Sequence, residues 1–509
     1  MEIIPCAMAA NSLKRLFSDT MIYGVSSIVG RFLNYLLVPL YTYKIAASSG
    51  GYGVVTELYA YTALMLVILT FGMETTFFYF ANNNKDNARR VFSTSALTVG
   101  GVGAFFVLLL ALLLKPVTSA MGYAAHPEYV MIMGIVVALD AFQAIFFAWL
   151  RFCGRAWKFA ALKLLFIICN IGLNLFVFLL APSLSAAHPS LMAWYRPDWQ
   201  VGYVFAVNLI CTAGVTLGFL PELRLLRHGY DCSLLRPMLR YTWPLLLLGV
   251  AGILNQVADK ICYRHLVSGP EGEVQLGIYG ACVKIAMIMA MITQAFRYAY
   301  EPFVFGGGRS REGKNSQAAV MKYFVIFALL AFLVVMAYLD IFKYIISSDY
   351  WEGLRVVPIV MMAEILMSVY FNLSFWYKLS GKTWWGAVFS AIGCVVLLAV
   401  NIVGVPRWGY MACAWGGVAG YGVCVLLSYF VGRKLNPVPY NVPAILGYFA
   451  LALLLYGLSV WLRPEALGWR LAFNTLLVLL YAAVALWLER NLWLDAVRSR
   501  LHPRRSGRA

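Results

Sequence analysis

The chain has 509 residues, of which 62% are hydrophobic and only 12% charged, with a mean hydropathy of +0.77 and a formal charge of +18. This composition excludes a water-soluble globular domain and fits an integral membrane protein. The positive charge does not point to nucleic acid, because it is spread through short loops beside the bilayer, where anionic lipid headgroups are its natural partners.

Residues 1–19 lack an apolar stretch with a cleavage site, so the first hydrophobic run is expected to act as the insertion signal. Apolar runs of roughly 20 residues, the helical length that crosses about 30 Å of hydrocarbon, predict about fourteen spans. They fall at 20–44, 52–80, 91–114, 130–150, 159–181, 201–221, 242–265, 277–303, 318–340, 354–377, 384–404, 409–431, 444–463 and 470–488. The expected fold class is therefore all-α integral membrane. With both termini cytoplasmic, twenty-six of the 40 Lys and Arg residues lie in inner segments and eight, Arg264 among them, in outer loops, as positive-inside loops require. The arginine-rich tail 490–509 reads as a basic juxtamembrane segment.

The nine residues WLRFCGRAW at 149–157 return as WYKLSGKTW at 376–384, an offset of 227. The same offset lays Tyr52-Gly53 on Tyr279-Gly280, Glu57 on Lys284, Glu74 on Glu301 and Asn174 on Asn401. It shrinks to 207 at Gly202-Tyr203 and Gly409-Tyr410, because the outer loop 182–200 is longer than its partner. The offset steps over six helices, an even number, so both copies cross in the same sense and form parallel repeats about an axis along the membrane normal. The expected organisation is an N-lobe at 1–222, a C-lobe at 223–434, a two-helix hairpin at 435–489 and the tail. The duplicated motif itself reads as an interfacial cation–aromatic anchor.

Two similar lobes enclose a site, and ionisable residues inside the spans mark it. Arg31 lies about twelve residues into the first span, near the midplane, where an unpaired guanidinium costs at least about 2.5 kcal/mol, so it is expected to face water or a partner. Asp140 and Glu364 sit near the midplane of spans 4 and 10 and are candidates for ion or proton coupling. Asp259 and Lys260 occupy span 7, and Lys284 occupies span 8. Arg297 and Glu301 are four apart and read as a helix-end ion pair. Lys163 and Arg355 near span ends are expected to snorkel.

Catalytic chemistry is not expected, nor any metal or cofactor. The five histidines lie in loops or at span ends without metal-ligand spacing, the ten cysteines include no CxxC, and no nucleotide-binding loop occurs. With no intramembrane histidine to serve as a general base, a membrane acyltransferase is disfavoured.

Taken in order, several strings resemble the oligosaccharide flippases of the Wzx type, in the superfamily that also holds multidrug exporters of the MATE type and lipid II flippases (the MOP superfamily). They are Tyr23-Gly24, Arg31-Phe32 and Pro39-Leu40-Tyr41-Thr42; then Tyr52-Gly53 and Gly72-Met73-Glu74-Thr75. Later come Asn255, Asp259-Lys260, Tyr279-Gly280, Lys284, Gln294-Ala295-Phe296-Arg297, Glu301-Pro302-Phe303 and Trp376-Tyr377-Lys378. The resemblance implies two six-helix lobes of the MATE-like MOP fold in a bacterial inner membrane. It further implies alternating-access transfer of an undecaprenyl-diphosphate-linked oligosaccharide to the periplasmic leaflet for cell-surface polysaccharide, working beside polymerase or assembly partners. On that reading Arg31, Lys260, Lys284 and Arg297 form a cationic cavity for the diphosphate. Glu57, Asp140, Asp259 and Glu364 would carry a coupling H+ or Na+, and Asn174, Asn255, Gln256 and Asn401, with Gln143, would line the cavity for sugars. A lipid II flippase shares these features. A drug exporter would lack spans 13 and 14 and need an acidic cavity. A glycan polymerase or ligase would carry a large outer loop rich in arginine, whereas 182–200 has one arginine.

Overall fold

A computed structural model describes residues 32–33, 35–83, 85–190, 192–307 and 311–490, and these form helices joined by short loops. Helix α1 (Leu37–Lys44) is the end of span 1. Thirteen described helices are long and apolar enough to cross a membrane, and they coincide with spans 2–14. They are α2 (Gly51–Asn83), α3 (Ala88–Leu112), α4 (Pro127–Phe152), α5 (Ala156–Ala187), α6 (Pro197–Leu217) and α7 (Cys232–Leu266). Then come α8 (Pro270–Gly307), α9 (Arg311–Ala337), α10 (Ser348–Leu379), α11 (Trp384–Trp408), α12 (Tyr410–Leu435), α13 (Val442–Trp461) and α14 (Leu467–Leu488). The protein is a multi-pass membrane protein.

Local chemistry sets the helix ends. Asp231 caps α7 by accepting from the amides of Ser233 and Leu234; the Ser233 hydroxyl (2.6 Å) first, and then these amides, hold its carboxyl below the usual carboxylate range. Pro127, in the first turn of α4, gives up an amide that would have no partner there, and Glu128 follows it to meet the positive end of the helix.

Helices α2 to α6 pack mainly on one another, as do α7, α8 and α10 to α12. The seam between these groups is α2 against α7 and α8. Glycines permit the close approach: a Cβ on Gly53 would strike the Glu273 carbonyl, and one on Gly277 would lie 3.0 Å from the Gly53 nitrogen. A Cβ on Gly280 would strike the Thr56 side chain. Both copies of the repeated Tyr-Gly pair thus lie on this seam.

The pair α13 and α14 packs on α9, which holds it at both ends. At the cation-rich end Lys322 donates to Glu489 (2.6 Å), joined by Tyr323 (3.0 Å) and Tyr448 (3.1 Å). Burial pushes the Glu489 carboxyl up, but these donors outweigh it and hold the group below its usual range. At the other end Asp340 meets Arg470 (2.7 Å), Arg463 (3.6 Å) and Lys343 (3.7 Å). Between the two, Asn474 donates to the Ala337 carbonyl and Tyr481 to that of Ile326. Interhelical hydrogen bonds of this kind supply the association that lipid, being as apolar as leucine, does not drive.

The duplicated motif departs from the anchor expected of it. Trp149 and Trp376 are buried, at 7% and 3% exposure. Trp149 packs on Phe77, Phe92 and Phe152, while Trp376 packs on Phe389 and donates to Ser428 (3.2 Å). The loop residues of each copy are exposed, and so are the closing tryptophans, Trp157 at 78% and Trp384 at 57%. The leading tryptophans seal the lobe interiors because each stands on the helix face that packs on neighbouring helices, α2 and α3 for Trp149 and α11 and α12 for Trp376. Sequence position beside a loop does not reveal that.

Candidate functional site

Where α2, α7 and α8 meet at the cation-poor end, a buried ionic cluster bridges the seam. Glu57 of α2 is 1% exposed and accepts from Tyr123 (2.5 Å) and from Arg264 of α7 (3.4 Å). Arg264 also donates to the Gly122 carbonyl (2.9 Å) and to Glu273, and its guanidinium carbon lies 4.2 Å from the centre of the Tyr123 ring. Burial, reinforced by the adjacent Glu57 carboxylate, raises the Tyr123 hydroxyl well above its ordinary range, so it stays protonated and donates. Nearby, Tyr350 donates to the Ile45 carbonyl (2.7 Å) and its ring meets Tyr52 edge-on. This end of the seam is closed. Arg264 had counted only as an outer-loop cation in the sequence, yet it occupies the last turn of α7.

Deeper in the second lobe, Asp259 accepts from Tyr279 (2.7 Å) and from Lys260 (2.9 Å), and Lys260 also donates to the Gln256 carbonyl (3.1 Å). Lys284 lies within electrostatic reach of Lys260, and Glu364 within reach of both Lys260 and Asp259. Four residues singled out in the sequence therefore share one cluster. One Glu364 oxygen and both amide atoms of Asn401 are buried without a hydrogen-bond partner among the described residues.

Next to this cluster, toward the cation-rich end, a cavity of about 180 Å³ opens among α7, α8, α10, α11 and α12. Asn255 and Gln256 line it from α7, and Thr293 and Arg297 from α8. Helix α10 adds Tyr370, Tyr377 and Lys378 around Phe371. The Phe371 ring carries two cations, Arg297 at 3.8 Å and Lys378 at 4.3 Å from its centre. Asn255 is held in place by donating to the Ser390 carbonyl (2.6 Å). Cations, hydroxyls and amides around aromatic faces can hold a phosphate and a sugar together.

The first lobe is arranged differently. Asp140 of α4 faces Lys163 of α5, whose ammonium lies 4.1 Å over the Phe147 ring rather than snorkelling outward. Gln143 donates to the Thr212 carbonyl (2.8 Å), and Asn174 accepts from Tyr41 (3.0 Å). Arg151, the repeat's first cation, is bound by Glu74, and Glu222 takes Arg155 (3.2 Å) and Lys158 (2.6 Å). Its counterpart Lys378 lines the cavity, a placement the sequence motif did not signal. Arg31 lies outside the described residues, as does the Glu301 side chain. Among the described residues no group of three or more His, Cys, Asp or Glu side chains could hold a metal ion.

No protein-family model matches this chain, and no curated protein does. Solved structures do match. The lipid II flippase MurJ in an inward closed conformation aligns with a TM-score of 0.69 and 12% identity over 93% of this chain and 99% of that one. The chain has the MATE-like MOP fold. An inward-facing MATE multidrug transporter shares it with a TM-score of 0.61 and 14% identity over 79% of this chain and 93% of its own. So does a MOP-superfamily transporter from Pyrococcus furiosus described as having a binding pocket of reverse polarity, with a TM-score of 0.51 and 13% identity over 82% and 95%. All three align at identities that speak for the fold alone.

Proposed function

We infer that this protein is a flippase of the bacterial inner membrane. It carries an undecaprenyl-diphosphate-linked oligosaccharide from the cytoplasmic to the periplasmic leaflet for cell-surface polysaccharide synthesis. The observation that carries this reading is the cavity around Phe371, where Arg297 and Lys378 flank an aromatic face amid tyrosines and amides. A diphosphate suits the two cations, and a sugar's hydroxyls suit Asn255, Gln256 and the tyrosines once the cavity widens beyond its present volume of about 180 Å³. With the cation-rich end cytoplasmic, the cavity lies on the loading side and the closed seam on the periplasmic side, which is an inward state of alternating access. The family resemblance adds Arg31 of span 1, outside the described residues, to the cationic set. Asp259, Lys260, Lys284 and Glu364 form the coupling site, where H+ or Na+ would trade against the lysines, and Asp140 with Lys163 forms a second acidic point in the other lobe. Glu57 serves the seam.

Depletion of the protein in its own cells, followed by leaflet-resolved assay of lipid-linked oligosaccharide, tests this. The expected result is inner-leaflet accumulation, relieved by the wild-type chain and not by Arg297→Ala combined with Lys378→Ala. If depletion leaves the distribution unchanged, the reading fails. A second reading, lipid II flipping, is favoured by the alignment with MurJ over 99% of that chain. Rescue of a strain depleted of its lipid II flippase would select it.

A further inference from the structure

A second cavity, of about 1060 Å³, lies at the cation-poor end of the second lobe and shares no lining residue with the first. Three segments build it. The opening turns of α8 supply Glu271 and Gln275, the 3-10 start of α10 supplies Glu352 and Arg355, and the α11–α12 corner supplies Trp408, Tyr410 and Trp415. At that corner Gly409 adopts φ +55°, which lets the two helices present their indoles to one cavity. The two indoles are 64% and 54% exposed.

The polar groups are paired on opposite walls. On one, Gln275 donates to Glu271 (2.8 Å) and accepts from Tyr263. On the other, Arg355 donates to Glu352 (3.1 Å) and to the Tyr410 hydroxyl (3.1 Å). Two carboxylates against one guanidinium repel a phosphate or sulfate, and an alkyl chain would leave all four polar groups without a use. A sugar ring meets every part. Its C–H face lies on an indole, and its neighbouring hydroxyls donate to a carboxylate and accept from a guanidinium or amide. The volume is at the upper end of ordinary ligand pockets and takes roughly two to three sugar rings.

We propose that this cavity is a saccharide-binding vestibule that holds an uncharged segment of a glycan at the outer face of the second lobe. That the glycan arrives there by transport rests on the flippase reading, whereas the sugar chemistry rests on the cavity's own groups.

The test uses the full chain in lipid nanodiscs, fluorescently labelled and applied to an array of lipid-free bacterial oligosaccharides. Wild type is expected to bind a subset of the array. Trp408→Leu with Trp415→Leu, and separately Glu352→Gln with Arg355→Gln, are expected to weaken that binding at least tenfold with thermal unfolding unchanged, while Trp157→Ala leaves it intact. Absence of binding to any oligosaccharide, or binding that survives both double variants, overturns the vestibule without touching the flippase reading. Tryptophan-dependent binding in a protein whose depletion leaves lipid-linked oligosaccharide undisturbed sinks the flippase reading and leaves the vestibule standing.

Discussion

Replacing Arg264 with methionine keeps an unbranched stem against the Tyr123 ring and removes the guanidinium that joins the two lobes. Arg264 makes two bonds across the seam, to Glu57 at 3.4 Å and to the Gly122 carbonyl at 2.9 Å, from a side chain only 12% exposed. Hydrogen bonds to charged groups contribute about 1.5–3 kcal/mol each. The first bond is long, and both partners regain water when the seam opens. The net loss is therefore taken as one bond at the low end, about 1.5 kcal/mol. That is about a tenfold change in the ratio of closed to open seam. Hydrogen–deuterium exchange reads it at two amides beside the seam: Tyr123, bonded to the Thr118 carbonyl (2.7 Å), and Val267, bonded to that of Tyr263 (2.9 Å). Both should exchange about tenfold faster in Arg264→Met, with amides in the middle of α3 unchanged as an internal control. Glu57→Gln should act in the same direction but less, because an amide oxygen still accepts from Tyr123. Unchanged exchange at both amides in Arg264→Met would mean that the cluster does not hold the seam, and the reasoning would be refuted.

Three further expectations follow from the packing. Gly53→Val places side-chain atoms where the Glu273 carbonyl lies, so it should open the seam more than Arg264→Met and abolish transport, measured by the same exchange assay and by leaflet distribution. A double-mutant cycle on Lys322→Met and Glu489→Gln should give a coupling of about 1–2 kcal/mol in thermal unfolding, since both side chains are largely buried. The Glu489 carboxyl is held below its ordinary 4.5. This contribution is therefore complete above pH 4.5 and lost as the pH falls through the lower folded value, and a wild-type stability curve that loses it at neutral pH would contradict the assignment. Trp376→Ala should destabilise by about 3–5 kcal/mol as a buried aromatic, whereas exposed Trp157→Ala should stay within about 0.5 kcal/mol. Equal effects on thermal unfolding would restore the interfacial-anchor view of the repeat.

The helical architecture was legible because the bilayer imposes a length: thirteen runs of apolar residues coincide with thirteen helices of the right span. The grouping of Asp259, Lys260, Lys284 and Glu364 was partly legible, since charges inside spans must find one another. The seam was not. Glu57 and Arg264 are 207 residues apart and meet only when two lobes dock, and counting Arg264 among loop cations used its charge while discarding its position. Lys378 was hidden for the opposite reason. Both copies of its motif read as an interfacial anchor, and that reading did not signal that Lys378 lines a cavity. The facing of Trp149 and Trp376 depends on which helix faces pack together, which hydropathy does not encode.

Helix α8 runs without a break for 38 residues from Pro270 to Gly307. Its upper part carries Glu273 and Gly277 at the seam, and Arg297 lies 24 residues further on, about 36 Å along the axis. A stiff rod of that length works as a lever. Tilting it by about 10° around its contact with α2 sweeps the Arg297 end through about 6 Å, the width of a sugar ring. Release of the seam and widening of the cavity would then be a single mechanical stroke, with no unwound joint between them to absorb the motion.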